Sequence, residues 1–150
     1  MIGGTMEDKE FLITIVGTQR DEDGESDEVE LFTTGNFYRT ANSWCVAYDE
    51  SEATGFEGNR TIVEVEDGLH RVTMTRLGNT GSQLIIERGM RHQCTYDTGY
   101  GSIIIGVSGD YIHSTLTEQG GELGFGYSLD VNTSLASENT VTITVRQPEN

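Results

Sequence analysis

Lysine occurs once in this 150-residue chain, at Lys9, and proline once, at Pro148. Cysteine occurs twice, at Cys45 and Cys94, with no CxxC spacing, so neither a zinc ribbon nor a dithiol redox motif is present. The histidines, His70, His92 and His113, share no metal-ligand spacing, which argues against zinc. No run approaches the ~18 apolar residues of a membrane helix. The first residues lack a basic segment followed by an apolar one, so a secretory leader is not expected. The cytoplasm is the expected location, with both thiols reduced there.

Basic residues are scarce as a class: nine against 25 acidic ones, a formal net charge of −16. Proteins that hold nucleic acid cluster Lys and Arg against phosphates, and here the Arg residues are dispersed. Nucleic acid and anionic membrane surfaces are therefore excluded as expected partners. The same charge keeps the chain soluble and would draw a basic protein partner to it.

What the chain does contain is period-two alternation. Phe11, Ile13 and Ile15 share one strand face, with Thr14 and Thr18 opposite. Val29 and Leu31 alternate with Glu28 and Glu30, and Trp44, Val46 and Tyr48 line one face of a later strand. Asp67-Gly68 separates Val63 and Val65 from Val72 and Met74, which predicts a two-residue type I′ hairpin. Ala41-Asn42-Ser43 reads as a further turn. Helical periodicity is lacking throughout. Short strands joined by polar turns mean a sandwich or a barrel, and closure removes the exposed edges of so many strands. The expected fold is all-β: a meandering antiparallel barrel, calycin- or lipocalin-like, of about eight to ten main strands. It forms one domain over residues 1–150, with an ordered core at about 10–146. Gly106, Gly124 and Gly126, inside strands, are expected at bulges and tight bends of the wall.

Four stretches carry a family resemblance: "ITIVGTQ", "YDESEATGFEG", "GMRHQCTYDTGYG" and "GGELGFGYSLDVN". Together they make the chain similar to the YwiB-like proteins, small bacterial proteins with a lipocalin-like barrel and no established function. The resemblance spans about residues 10–146 and implies the same barrel. It implies no reaction. Gly99 departs from the proline usual in the family at this turn, which the resemblance implies is looser here.

The densest group of reactive side chains, residues 89–102, is "GMRHQCTYDTGYGS". On a strand, His92, Cys94 and Tyr96 share one face and Arg91, Gln93 and Thr95 the other. The plain reading is one strand and its turn, with Asp97-Thr98-Gly99 as an Asx turn. A Cys–His pair can form a nucleophile, but here no third group orients the histidine. The candidate ligand contacts are Trp44, Tyr48, Arg91, His92, Tyr96 and Tyr100, with no catalytic, metal or cofactor residue. Residues 21–28 are acidic but do not form an EF-hand: the twelfth position from Asp21 is Phe32, where a Glu is needed. Asp49, Glu50 and Glu52 read as an acidic turn rather than a pair of acid–base carboxylates. Two functions follow as expectations: a barrel binding a small, partly apolar molecule, or an acidic interaction module around a filled barrel. Neither is an enzyme.

Overall fold

Alternation along each strand turns the wall of one closed antiparallel barrel, in which every strand pairs with its sequence neighbours and the last returns to the first. The computed structural model describes residues 10–54, 57–78, 81–97 and 100–148. Its strands are β1 (Glu10–Asp21), β2 (Ser26–Arg39), β3 (Ser43–Asp49), β4 (Asn59–Glu66) and β5 (Arg71–Gly78). They continue as β6 (Ser82–Glu87), β7 (Arg91–Asp97), β8 (Ser102–Ser114), β9 (Gly120–Val131) and β10 (Ser134–Arg146). A 3-10 turn, Glu52–Thr54, follows β3. Closure comes from β1 against β10, in register from Leu12↔Arg146 to Asp21↔Ser137. The expected meandering barrel is therefore the fold.

The inward faces are those the alternation marks. Phe11, Ile13, Phe37, Val46, Val63, Val65, Val72, Ile86, Val107, Leu123, Phe125 and Ile143 are essentially inaccessible. Each such side chain contributes roughly 1.5–3 kcal/mol of burial. One end is closed by aromatics: Phe37 meets Phe11 edge-on at 5.3 Å and stacks on Trp44 at 4.9 Å. The Arg39 guanidinium lies 5.0 Å above the Trp44 ring. Arg39 also forms a two-point pair with Asp67, at 2.6 and 2.5 Å, tying the β2–β3 hairpin to the β4–β5 hairpin.

Three local expectations need correction. The β4–β5 connection has four residues, not two: Leu69 N–H donates to the Glu66 carbonyl, and the left-handed residue is Leu69, at φ 57°. A type I′ turn needs positive φ at both central residues, and Asp67 is instead engaged by Arg39 and by the Asn42 carbonyl. Ser43 belongs to β3, where its hydroxyl donates to Glu64 at 2.5 Å. Gly126 faces the β8 bulge as the partner of Tyr111, as expected, but Gly106 and Gly124 lie in regular pairing. All three leave space on the outer wall for neighbouring side chains to lie flat across the backbone: the Arg91–Asp130 pair over Gly106, His113 over Gly124 and Tyr111 over Gly126.

The bulge in β8 falls between Gly109 and Tyr111, for a visible reason. Strands β6 and β7 pair at one position alone, Ser82↔Tyr96. Beyond it their hairpin is pulled onto β8: Gly89 N–H donates to the Gly109 carbonyl at 3.1 Å, and Gly109 N–H to the Met90 carbonyl at 3.2 Å. Any side chain at Gly109 would collide with the Glu87 backbone. The Asp97-Thr98-Gly99 turn lies outside the described residues in part, at Thr98 and Gly99.

Candidate functional site

The apolar filling stops short of one end. Along β3 the inward positions run Trp44, Val46, Tyr48 and then, just past the strand, Glu50. Along β5 they run Val72, Met74 and then Arg76. The register Tyr48↔Thr61↔Arg76 sets these residues side by side across β3, β4 and β5. The Glu50 side chain is 2% exposed and that of Arg76 is 12% exposed, and they pair at 3.5 Å. The Thr61 hydroxyl donates to the same carboxylate oxygen, Glu50 Oε2. Across the lumen, β9 brings Tyr127, which stacks on Phe125 at 6.1 Å.

Tyr48, Glu50, Arg76 and Tyr127 line an open-mouthed cavity of about 290 Å³, whose apolar wall includes Ile15, Leu31, Met74 and Val141. A ten-stranded barrel has a wider lumen than an eight-stranded one, which is just filled by side chains or one small ligand. Burial raises the Tyr48 phenol well above its ordinary value, the Glu50 carboxylate adds to this, and Arg76 opposes it. Burial pushes Tyr127 up to about 12, against the pull of Arg76 and with a smaller push from Tyr96. Both phenols are protonated at neutral pH; Tyr48 is hydrogen-bonded to Thr61, and Tyr127 can donate a hydrogen bond into the cavity. A larger depression of about 610 Å³ on the outer wall shares Thr18, Gln19, Tyr127, Asn139 and Thr140 with it. The ion pair there, Arg20–Glu138 at 3.5 Å, is 63% and 55% exposed, so its charges stay hydrated and worth little. The cavity with buried charge is the stronger site.

The candidate residues divide. Tyr48 lines the cavity, and Tyr96 lies near enough to Tyr127 to influence it. Trp44 points into the same lumen but at the opposite, aromatic end, about 13 Å along the strand from Tyr48. Arg91 is on the outer wall, in a two-point pair with Asp130 at 2.9 and 2.7 Å that holds the Asp130 carboxyl below its usual range. Tyr100 is fully exposed. Cys94 is a buried core thiol, and Cys45 is buried too. Sequence reasoning passed over Thr61, Arg76 and Tyr127, and it read Glu50 as part of an acidic turn, whereas Glu50 is buried against Arg76. The available signal was parity: Glu50 and Arg76, of opposite sign, each continue an inward face.

His92 caps the loose β6–β7 seam, its Nε2 2.8 Å from Glu87 Oε1, and Arg71 reaches the same oxygen at 3.1 Å. His92 first, and then Arg71, hold the Glu87 carboxyl below its ordinary value. A depressed carboxylate stabilises the fold above its unfolded pKa, and that stability is lost as pH falls through the folded one. Glu87→Gln is accordingly expected to melt below the parent at pH 7, with the gap closing once pH drops under about 4. Melting temperatures across pH 3–8 check this; a gap that persists in acid contradicts it.

The model of a family described as a domain of unknown function, DUF1934, matches residues 13–143. The chain belongs to this family. Among solved structures, the crystal structure of the ywiB protein from Bacillus subtilis is similar, with a TM-score of 0.81 and 22% sequence identity. The similarity covers 94% of this chain and 93% of that one, and at that identity it speaks for the fold alone. No curated protein matches. The family carries no assigned activity, so the chemistry must be read from the cavity itself.

Proposed function

We propose that the protein binds one small, partly apolar molecule at the open end of its barrel, and binds it without reaction. The observation that carries this is the buried Glu50–Arg76 pair in a cavity whose wall also carries Ile15, Leu31, Met74 and Val141. Burying such a pair is no gain over well-packed apolar side chains of the same volume. A barrel selected for stability alone would fill this end as it fills the other. A few polar groups converging in an apolar concavity is the usual form of a small-molecule site. The Glu50 carboxylate is held by Thr61 and Arg76, and no histidine or cysteine among the described residues lines the cavity to act with it. Two buried, unpaired thiols also fit the cytoplasm as the working compartment.

Native mass spectrometry of gently purified protein, set against its denatured mass, tests the reading. A releasable extra mass is the expected result. A clean protein mass, together with no perturbation of the Met74 methyl signal by any small amphiphile, would sink it.

A second reading keeps the interaction module. It is favoured by the β1–β2 hairpin, where residues 22–30 are all exposed and six of the nine are acidic: Glu22, Asp23, Glu25, Asp27, Glu28 and Glu30. A basic protein partner held there would dissociate steeply with added salt.

A further inference from the structure

The charge balance inside the cavity bears on what can enter it. Glu50 and Arg76 are the charged side chains of its interior among the described residues, and at 3.5 Å they neutralise one another. Asp27 also lines the cavity, but it is an exposed residue of the rim and stays hydrated. An ion entering this space would lose its water with no net countercharge to replace it, which is costly. Anions would meet, in addition, the field of a chain with net charge −16. A cation seeking Glu50 would have to approach Arg76.

The hydrogen-bonding capacity left over is specific. Thr61 and Arg76 both approach Glu50 Oε2, and no described residue donates to Glu50 Oε1. One acceptor is therefore open. The Tyr127 hydroxyl has no hydrogen-bond partner among the described residues, so one donor is open as well. Both groups line the open-mouthed cavity, where water can meet them, and a ligand that matches both replaces that water without losing a hydrogen bond. Of the other polar residues on the wall, Thr18 and Thr140 bond to each other and Asn139 donates to Ser137, while Ile15, Val29, Leu31, Met74 and Val141 make it apolar elsewhere; about 290 Å³ lies at the small end of ligand cavities.

We propose that the cavity selects an uncharged ligand that carries a hydrogen-bond donor beside an acceptor on a short apolar body, an amide being the simplest, and disfavours the matching carboxylate and ammonium. The donor meets Glu50 Oε1, and the acceptor takes the Tyr127 hydroxyl. This deepens the reading of the cavity as a ligand site and rests on it.

The test uses the full chain and three probes of one length: hexanamide, hexanoate and hexylammonium, at pH 7 and fixed salt. Affinity is read by calorimetry, and occupancy of the cavity by the Met74 methyl signal. Hexanamide is expected to bind about tenfold or more tightly than either ion. Tyr127→Phe, which removes one hydroxyl from the cavity, is expected to weaken hexanamide about three- to tenfold with the melting curve little changed. If an ion binds as tightly as the amide and moves Met74, the cavity is a ligand site and the proposed selectivity is wrong. Equal binding by all three has the same meaning. An amide affinity untouched by Tyr127→Phe overturns the assigned donor. If no probe moves Met74, the cavity reading and this inference fall together.

Discussion

Arg76→Met is expected to lower the unfolding free energy by about 3–5 kcal/mol, because it strands the Glu50 carboxylate, 2% exposed, without its partner. For a domain of this length that corresponds to a fall in melting temperature on the order of 10 °C. The Thr61 hydroxyl remains as a donor to Glu50, but one neutral hydrogen bond does not replace a guanidinium. The informative variant is the double one, Glu50→Gln with Arg76→Met. With both charges gone, the lumen holds an amide and a thioether of similar volume, and most of the lost stability should return. The same double variant should bind hexanamide more weakly, since the Thr61 hydroxyl takes the one remaining side-chain oxygen and a donor NH2 stands where the open acceptor was. Recovered stability with lost binding separates a functional ion pair from a structural one. A double variant as unstable as Arg76→Met would show that these positions serve the fold, and would count against the cavity as a binding site.

That pair also shows where the sequence was legible and where it was not. The barrel follows from alternation. Phe11, Ile13 and Ile15, or Val72 and Met74, can point to one side in a strand and to no common side in a helix. Glu50 and Arg76 obey the same parity, two positions beyond Tyr48 and Met74. They were hidden because a charged residue ordinarily marks the end of an inward face, and because each looks costly when read alone. Only the register across β3, β4 and β5 makes them partners, and long-range register is absent from local pattern. The cluster at 89–102 misleads for the opposite reason. Neighbours in a strand point to opposite faces and advance about 3.3 Å per residue. The structure thus sends Arg91 to the outer wall, His92 to the β6–β7 seam, Tyr96 toward Tyr127 and Tyr100 into solvent. The Asp67-Gly68 turn departs from local preference because Arg39, 28 residues earlier in the chain, claims the Asp67 carboxylate.

Phe37→Ala is the second substitution with a large expected effect, about 3–5 kcal/mol, and it acts at the other end of the barrel. Phe37 is wholly buried, edge-on to Phe11 of β1 and stacked on Trp44 of β3. Removing the ring leaves a hole whose walls are strands hydrogen-bonded into a closed sheet. They cannot collapse inward without breaking register, so the cost falls at the upper end of the range. Trp44 is the only tryptophan, which makes its fluorescence a direct report on this end. Loss of the stacked ring should admit water and move its emission to longer wavelength, along with the drop in melting temperature. Well below that melting point, hexanamide affinity should hold within about twofold, since distant sites without shared partners act independently. Unmoved emission with a melting temperature lowered by only a degree or two would mean that this end is loosely packed. The barrel would then have a second space to fill, and the division between a sealed aromatic end and an open polar end would fail.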